Sequence, residues 1–274
     1  MNGKNNRIST IILIFMLLLG LSLLLYPSFS DYWNSFFQSR AIADYANFVS
    51  GIDHDKYDEM ISEAKAYNES LRKKGNRWIL SEEEEKEYEQ ILDVSGTGIM
   101  GYIEIPSIDV ALPIYHGIDE DVLQIAIGHL AGSSLPVGGA GTHVVVSGHR
   151  GLPSARLFTD LDQLIKGDLF VMRILDETLT NEVDQIRIVL PNEMDDLQID
   201  EEQDYCTLIT CTPYGINTHR MLVRGHRVDN VEDISIRVTA DAMQIDSKIV
   251  GSVLAIMILF ILLIVVMIRH RKRR

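Results

Sequence analysis

The chain has 274 residues, of which 46% are hydrophobic and 23% are charged, and its net charge is −14. This composition excludes a disordered or collagen-like chain, and a polytopic membrane protein would be far more apolar. The two cysteines are too few for a disulfide-built scaffold or a four-cysteine zinc site. The negative charge argues against nucleic acid as the main partner.

An apolar run lies near each end of the chain, at residues 8–25 and 249–268. The length of each run is close to that of a helix that crosses a bilayer, about 20 residues. The second run also lacks the polar face that a core helix would have. Basic residues lie on the terminal side of both runs. Residues 1–27 carry +2 and residues 248–274, with Lys248 before the second run included, carry +6, which leaves −22 for the stretch between them. Because basic residues mark the cytoplasmic side, both termini are predicted inside the cell and the acidic stretch outside.

The first apolar run has two interpretations. It is followed by Ser28-Phe29-Ser30, a passable motif for signal-peptide cleavage. The run is therefore either a retained membrane anchor, which is the favoured interpretation, or a signal peptide that is removed.

Residues 30–89 show a polar, helical pattern, in which apolar residues recur at helical spacing with charged residues between them. Asp53 or Asp55 is a candidate N-cap for a second helix in this segment. The acidic run from Glu82 to Glu85 is predicted to be a solvated helix face.

From Gly101 onward the pattern changes to short segments rich in β-branched residues, separated by glycine and proline turns. Two helical inserts are predicted, near residues 121–127 and 154–164. Many short strands with few helices indicate a mainly β fold, a barrel or sandwich of about eight strands. The predicted strands cover residues 102–105, 110–112, 143–146, 169–174, 186–190, 205–210 and 221–223.

The two cysteines, Cys206 and Cys211, lie in one β-rich segment. In an extended strand at about 3.3 Å per residue their Cα atoms are roughly 16 Å apart, well beyond the limit of about 7 Å for a disulfide. Because their separation is odd, their side chains point to opposite faces of the sheet. Thr212-Pro213-Tyr214-Gly215 ends the strand directly after Cys211, so Cys211 is the candidate reactive thiol and Cys206 a buried, inert one.

A nucleophilic thiol needs a base or a cation nearby. His149 is the candidate base, since it follows a predicted strand and its flanking glycines allow close approach of another segment; a structural turn histidine is the alternative. An anionic intermediate also needs a fixed cationic donor. Arg220 and Arg224 lie on the strand that returns after Gly215. Arg220 and His219 face opposite sides, so only one of that pair can join the thiol.

No cofactor site is predicted. Asp53-His54-Asp55 is similar to the start of a calcium-binding loop, but Asp58 stands where glycine is required and Ala64 where glutamate is required. The sequence holds no Walker or dinucleotide-binding glycine motif, and its histidines do not follow a zinc spacing.

Three motifs in the second half of the chain match a known enzyme family. Thr207-Leu208-Ile209-Thr210-Cys211 has the pattern TLxTC, and Arg220 follows nine residues later. The stretches 135–153 and 211–220 complete the match. In these residues the chain resembles the sortases, and in particular the class C, pilin-polymerising sortases. The resemblance covers roughly residues 40–274, including a C-terminal membrane helix with a basic tail.

The resemblance implies an eight-stranded sortase barrel that acts as a cysteine transpeptidase. Cys211 would cleave an LPxTG-like sorting signal between Thr and Gly and hold the product as a thioacyl enzyme. His149 would protonate the leaving amine and deprotonate the incoming one, while Arg220 would hold the substrate carbonyl and steady the oxyanion. No metal or organic cofactor is implied.

The implied substrates are pilin or surface proteins with such a signal, and the implied acceptor is a lysine amine of another pilin. The enzyme would be held at the cell membrane with its catalytic domain outside. One alternative is a sortase that attaches surface proteins to the cell-wall peptide. Another is a catalytically silent, membrane-tethered binding domain, against which the intact motifs at Cys211, His149 and Arg220 argue.

One segment departs from the family pattern. Class C sortases usually carry a lid before the barrel, with an Asp-Pro-aromatic motif that covers the cysteine. Here the corresponding stretch is Gly75-Asn76-Arg77-Trp78-Ile79, without the Asp and the Pro. Trp78 either supplies the lid's ring or is a packing anchor for the helical segment.

The chain is thus predicted to have six segments. They are a membrane anchor or signal segment (1–27), an N-terminal helical segment with the candidate lid (28–95), the catalytic β-barrel (96–235), a juxtamembrane segment (236–248), a transmembrane helix (249–268) and a basic cytoplasmic tail (269–274).

Overall fold

The computed structural model describes residues 2–230 of the chain. The helices in this range are α1 (Asn2–Ser50), α2 (His54–Lys73), α3 (Glu82–Gln90) and the single turn α4 (Glu120–Leu123). The strands are β1 (Ile99–Ile105), β2 (Val110–His116), β3 (Ile127–His129), β4 (Thr142–Ser147), β5 (Leu169–Ile174), β6 (Glu177–Val189), β7 (Asp204–Thr212) and β8 (His219–Arg227). The predicted segments 236–248, 249–268 and 269–274 lie outside the described residues.

The first helix, α1, is 49 residues long and contains Pro27. The chain divides into two compact units, and the division falls within α1, between Tyr32 and Trp33. Within residues 2–230, α1 is the one helix long and apolar enough to cross a membrane, with an 18-residue window of mean hydropathy 2.3. The predicted boundary at residue 27, and the choice between a retained anchor and a cleaved signal, stay predictions.

The eight strands close into a barrel in the order β1-β2-β3-β4-β7-β8-β6-β5. Two neighbouring pairs, β2 with β3 and β4 with β7, are parallel, and the remaining pairs are antiparallel. The prediction of a mainly β fold with an eight-stranded barrel is confirmed. Closure removes the open sheet edges on which other chains could add a strand.

The two predicted helical inserts are mostly wrong. In the first, residues 121–127, the helix ends at Leu123 and β3 begins at Ile127. Strand β3 forms because it pairs with both β2 and β4, a tertiary effect that a local pattern does not report. In the second, residues 154–164, only the turn Leu161–Gln163 is helical, and it is 3₁₀.

The caps of the N-terminal helices follow from the sequence. Asp53 caps α2, and its carboxylate accepts a hydrogen bond of 2.8 Å from the backbone of Lys56. Ser81 and Glu84 form a capping box at the start of α3. The acidic run from Glu82 to Glu85 is the first turn of α3, where negative charge stabilises the helix dipole, and it is mostly exposed as predicted.

Helix α1 is fastened to the barrel through Tyr45, which is 1% exposed. Its hydroxyl donates a hydrogen bond of 2.9 Å to the carbonyl of Met100 on β1 and accepts one of 2.7 Å from the amide of Leu175 after β5. One buried hydroxyl therefore satisfies a backbone acceptor and a backbone donor that would otherwise be unpaired.

Tyr45→Phe is expected to lower the free energy of unfolding by about 2 kcal/mol, because it leaves both backbone groups buried without a partner. Chemical denaturation of the full-length chain in detergent would measure the loss. The matched control is Tyr57→Phe on α2, whose hydroxyl donates to the exposed carboxylate of Glu177; its expected cost is below about 0.5 kcal/mol. Equal losses in the two variants would contradict this account.

Candidate active site

The two cysteines of β7 occupy different faces of the strand. Cys206 is 1% exposed and contributes to the barrel's interior core, whereas Cys211 is partly exposed at the end of the strand. Both thiols are free. Burial raises the pKa of Cys206 well above its ordinary value, which keeps that thiol neutral and unreactive. The predicted contrast between a buried and an accessible cysteine is confirmed.

The β7–β8 register decides which side chain lies opposite Cys211. In this antiparallel ladder Cys211 pairs with Arg220, and Thr212 pairs with His219. Because cross-strand partners point to the same face of a sheet, Arg220 and not His219 shares the face of Cys211. The Nη1 of Arg220 donates to two carbonyls of its own turn, those of Asn217 at 3.3 Å and His219 at 3.2 Å.

His149 reaches the same end of the barrel from strand β4. In the parallel β4–β7 pair, Ser147 is the register partner of Ile209, so His149 and Cys211 each lie two residues beyond this pair. Gly148 ties the two segments together. Its amide donates to the carbonyl of Ile209 at 3.0 Å, and its carbonyl accepts a hydrogen bond of 2.8 Å from the hydroxyl of Thr210. The fold thus brings Cys211, Arg220 and His149 to one rim.

Gly148 makes this approach possible. A Cβ added there would lie 2.8 Å from both Ile127 Cγ2 and Phe158 Cδ2, a separation that folded proteins do not tolerate. The absence of a side chain therefore lets the segment before His149 run against β3 and the following loop, as the flanking glycines had suggested.

A carboxylate beside His149 is not predicted by any motif in the sequence. Glu120, in the first turn of α4, has its Oε2 at 3.7 Å from the Nε2 of His149, and the two side chains are 70% and 28% exposed. Glu120 stands between Asp119 and Asp121, and spacing alone does not distinguish it from these neighbours.

Two other histidines of the barrel are structural. Burial lowers the pKa of His143 to about 4 and that of His129 to about 3, so both stay neutral at neutral pH. His143 is held between the hydroxyl of Thr207 and the carbonyl of Gln198, each at 2.8 Å. Neither histidine is exposed to a substrate.

Trp78 lies on the outer face of the barrel. It packs against four buried residues that we call the outer cluster, Val145, Val189, Leu197 and Leu222. Leu222 is the register partner of Ile209, which precedes Cys211 by two residues on the same face. The neighbouring Arg77 is buried, stacks over the Trp78 ring at 4.2 Å and donates hydrogen bonds to the carbonyls of Gly132 and Leu197.

Among residues 2–230, no group of three or more His, Cys, Asp or Glu side chains is arranged to hold a metal ion. The chemistry available at the rim is that of a thiol, an imidazole and a guanidinium. A thiol with a proton carrier and a cationic donor is the combination required for acyl transfer through a covalent intermediate.

The fold and the sequence place the chain in a known family of enzymes. A family model described as the sortase domain matches residues 103–228. The chain is 54% identical to the crystal structure of sortase C1 from Streptococcus agalactiae, with a TM-score of 0.68, over 70% of this chain and 100% of that one. The chain belongs to the sortase family.

Two further relatives agree with this assignment. The structure of sortase C from Streptococcus pneumoniae, whose description concerns catalysis and pilin substrate specificity, is 43% identical with a TM-score of 0.63, over 70% of this chain and 97% of that one. Sortase D of Bacillus subtilis (strain 168) is 30% identical over 131 residues, which is 47% of this chain and 63% of that protein's length. Class C sortases are thus among the structural neighbours.

Proposed function

We propose that the protein is a cysteine transpeptidase that polymerises pili. It cleaves an LPxTG-like sorting signal between Thr and Gly and transfers the threonyl carbonyl to a lysine amine of another pilin. The observation that carries this proposal is the arrangement at the rim. Cys211 is the register partner of Arg220, and the segment that holds His149 is hydrogen-bonded to the same end of β7.

In the proposed reaction Cys211, Arg220 and His149 have separate roles. The Cys211 thiolate forms a bond to the threonine carbonyl carbon, and Arg220 stabilises the oxyanion. The bond to glycine breaks as protonated His149 gives its proton to the leaving amine, which leaves a thioester on Cys211. The lysine amine then attacks the thioester, His149 takes its proton, and the sulfur leaves as a thiolate. No cofactor takes part in this scheme.

The pilin role is favoured over cell-wall attachment by the relatives and by the N-terminal helices. The similar sortase C from Streptococcus pneumoniae is described in terms of pilin substrates. In this chain Met60 and Ala64 of α2 and Tyr88 of α3 are buried in the barrel's main core cluster, so the helical segment is an integral part of the barrel unit. Attachment of surface proteins to the cell-wall peptide is the second candidate.

The site would act at the outer surface of a membrane. Helix α1 meets the length and composition of a membrane span, and the sequence's basic ends predict that both termini are cytoplasmic. The protein with the sorting signal and the pilin that supplies the lysine amine would then meet the enzyme at the same membrane.

The experiment that tests the proposed function is incubation of the full-length chain, in detergent, with candidate pilins, followed by mass spectrometry of covalent products. Isopeptide bonds to a pilin lysine select the pilin role. Attachment to a peptidoglycan-like amine selects the anchoring role. Absence of both products, from enzyme whose Cys211 still reacts with iodoacetamide, would refute transpeptidation of these substrates.

The segment around Trp78 is proposed to be a lid over the outer face. Its support is the packing of Trp78 on the outer cluster, next to the strand end that bears Cys211, and the buried anchor that Arg77 provides. In this chain, which lacks the Asp-Pro pair, the guanidinium of Arg77 would anchor the segment through its hydrogen bonds to the carbonyls of Gly132 and Leu197.

Trp78→Ala is expected to raise the rate of alkylation of Cys211 by about tenfold, because it removes the ring that holds the segment on the outer face. The rate would be followed by mass spectrometry with iodoacetamide at neutral pH. Trp33→Ala, an exposed tryptophan on α1, is the matched control and leaves the rate unchanged. Unchanged labelling in Trp78→Ala would count against a closed lid.

Arg220→Met is expected to lower kcat by about 10²- to 10³-fold, since the oxyanion loses its charged donor while the apolar stem is kept. The adjacent variant His219→Gln serves as the control, because His219 lies on the opposite face, and it changes kcat by less than about threefold. Steady-state transfer assays on a sorting-signal peptide would measure both. Equal losses of kcat in the two variants would contradict the assignment of Arg220 as the oxyanion donor from the β7–β8 register.

A further inference from the structure

Arg150, the residue after His149, has its charged end in contact with two other segments. Its Nη1 donates a hydrogen bond of 3.3 Å to the hydroxyl of Thr212, the residue after Cys211. Its Nη2 is paired with the carboxylate of Asp162, on the 3₁₀ turn that follows the His149 loop. One guanidinium therefore connects the chain beside His149 with the chain beside Cys211.

The environment of this guanidinium shows that its position is held. The Arg150 side chain is 10% exposed, and its Nε is buried without a hydrogen-bond partner among residues 2–230. Asp162 supplies the counter-charge that makes burial of the cation tolerable.

A second contact joins the same two segments. Gly151 has a φ of +75°, and a Cβ added there would lie 2.7 Å from the ring of Tyr214, on the turn between β7 and β8. The Gly151 amide donates to the hydroxyl of Thr159 at 3.1 Å, which fixes the loop on its other side. The contact with the Tyr214 ring is non-directional. The hydrogen bonds of Arg150 are directional, and they therefore set the orientation of the segment beside His149 relative to the segment beside Cys211.

We propose that Arg150 is a positioning residue for the transfer reaction, with Asp162 as its counter-ion. It acts on the reaction through Thr212 and His149, by fixing the separation of the imidazole and the thiol. The expected effect on kcat rests on the proposed function. The expected effect on the separation of His149 and Cys211 does not. A misplacement of reacting groups by about 1 Å costs on the order of 10²-fold in rate, so a loosened bridge is expected to be visible in kcat.

The planar fork of arginine is needed because two nitrogens of one group serve two partners on different segments. A lysine has one nitrogen on a flexible stem and cannot hold both partners in a fixed geometry. The hydroxyl of Thr212 is the complementary half of the bridge. Valine has the same shape without the acceptor, and serine keeps the acceptor.

The test compares Arg150→Met, Thr212→Val, their double variant and Thr212→Ser in the full-length chain in detergent. Arg150→Met and Thr212→Val are expected to lower kcat by about 10- to 100-fold with KM within about threefold. The kcat of the double variant is expected to be no lower than that of Arg150→Met alone, because both changes remove the same hydrogen bond. Thr212→Ser recovers most of the loss. Lys73→Ala, in an exposed ion pair on α2, is the unchanged control.

Alkylation of Cys211 by iodoacetamide provides a readout that needs no sorting substrate. At pH 7 the Arg150→Met and Thr212→Val variants are expected to react about tenfold more slowly than the parent, because the thiol loses its partner imidazole. At pH 9.5, where thiols ionise without help, all variants react within about twofold of one another. If Arg150→Met fails to fold, the Thr212→Val and Thr212→Ser pair carries the comparison.

The outcomes separate the two claims. If the variants are alkylated more slowly than the parent at neutral pH, but the parent processes no sorting signal, the positioning role is sustained and the proposed function is refuted. An active parent whose variants show unchanged kcat and unchanged alkylation would overturn the positioning role. Additive losses in the double variant would do the same, since Arg150 and Thr212 would then act independently.

Discussion

Cys211→Ala is expected to lower the rate of peptide transfer by at least about 10⁴-fold and to abolish the thioacyl adduct, because the one other thiol in residues 2–230, that of Cys206, is buried. Mass spectrometry of the enzyme after incubation with a sorting-signal peptide would detect the adduct, and product formation would give the rate. Binding of the peptide is expected to survive, since the rest of the site is intact.

The matched control for this change is Cys206→Ala, on the same strand. Cys206 is buried with its Sγ at 3.6 Å from the Sδ of Met172, so its truncation costs about 1 kcal/mol of stability and leaves the rate within about threefold. Retained transfer in Cys211→Ala would remove the chemical basis of the proposal, and would favour a binding domain whose motif serves another purpose.

His149→Gln is expected to lower kcat by about 10³-fold, because glutamine keeps a polar side chain of similar reach but neither accepts nor releases a proton. Stopped-flow acylation and steady-state transfer would show whether one or both proton transfers are affected.

His226→Gln is the corresponding control for the histidine. His226 is a partly exposed histidine on β8, but it pairs with Tyr205 at the opposite end of the ladder from Cys211. Its replacement is expected to change kcat by less than about twofold. A comparable loss in both variants would indicate that the histidines affect folding and not proton transfer.

The fold was largely predictable because its signals are local. Strand β5 is a mostly apolar segment and strand β7 is rich in β-branched residues, and the bounds of both are nearly those predicted from the pattern. Strand β3 was missed because it has three residues and exists only through pairing with β2 and β4. The caps at Asp53 and Ser81 depend on single side chains and are likewise local.

The site was predictable in part. Cys211 could be predicted as the accessible thiol from the alternation of side chains along a strand. It lies an odd number of residues from Cys206, and a turn follows it directly. The choice between Arg220 and His219 required the register of β7 with β8, which the six-residue connection does not specify. The assignment of His149 rested on the family resemblance more than on its own motif.

The contacts of Glu120, Arg150 and Asp162 were outside the reach of sequence reasoning. Each depends on the meeting of segments that are distant along the chain, such as α4 with the end of β4. Their catalytic or positioning roles, like those of Cys211, His149, Arg220 and Trp78, stay predictions that the proposed variants test.

The parallel pairing of β4 with β7 has a consequence for the proposed export of the barrel. His149 and Cys211 are 62 residues apart in the chain, and β5 and β6 must be made between them before their strands can pair. Such non-local pairing comes late in folding. If the barrel is exported as proposed, a chain that is still crossing the membrane has not yet brought Cys211 and His149 to one rim, and acyl transfer is expected only after the barrel has closed.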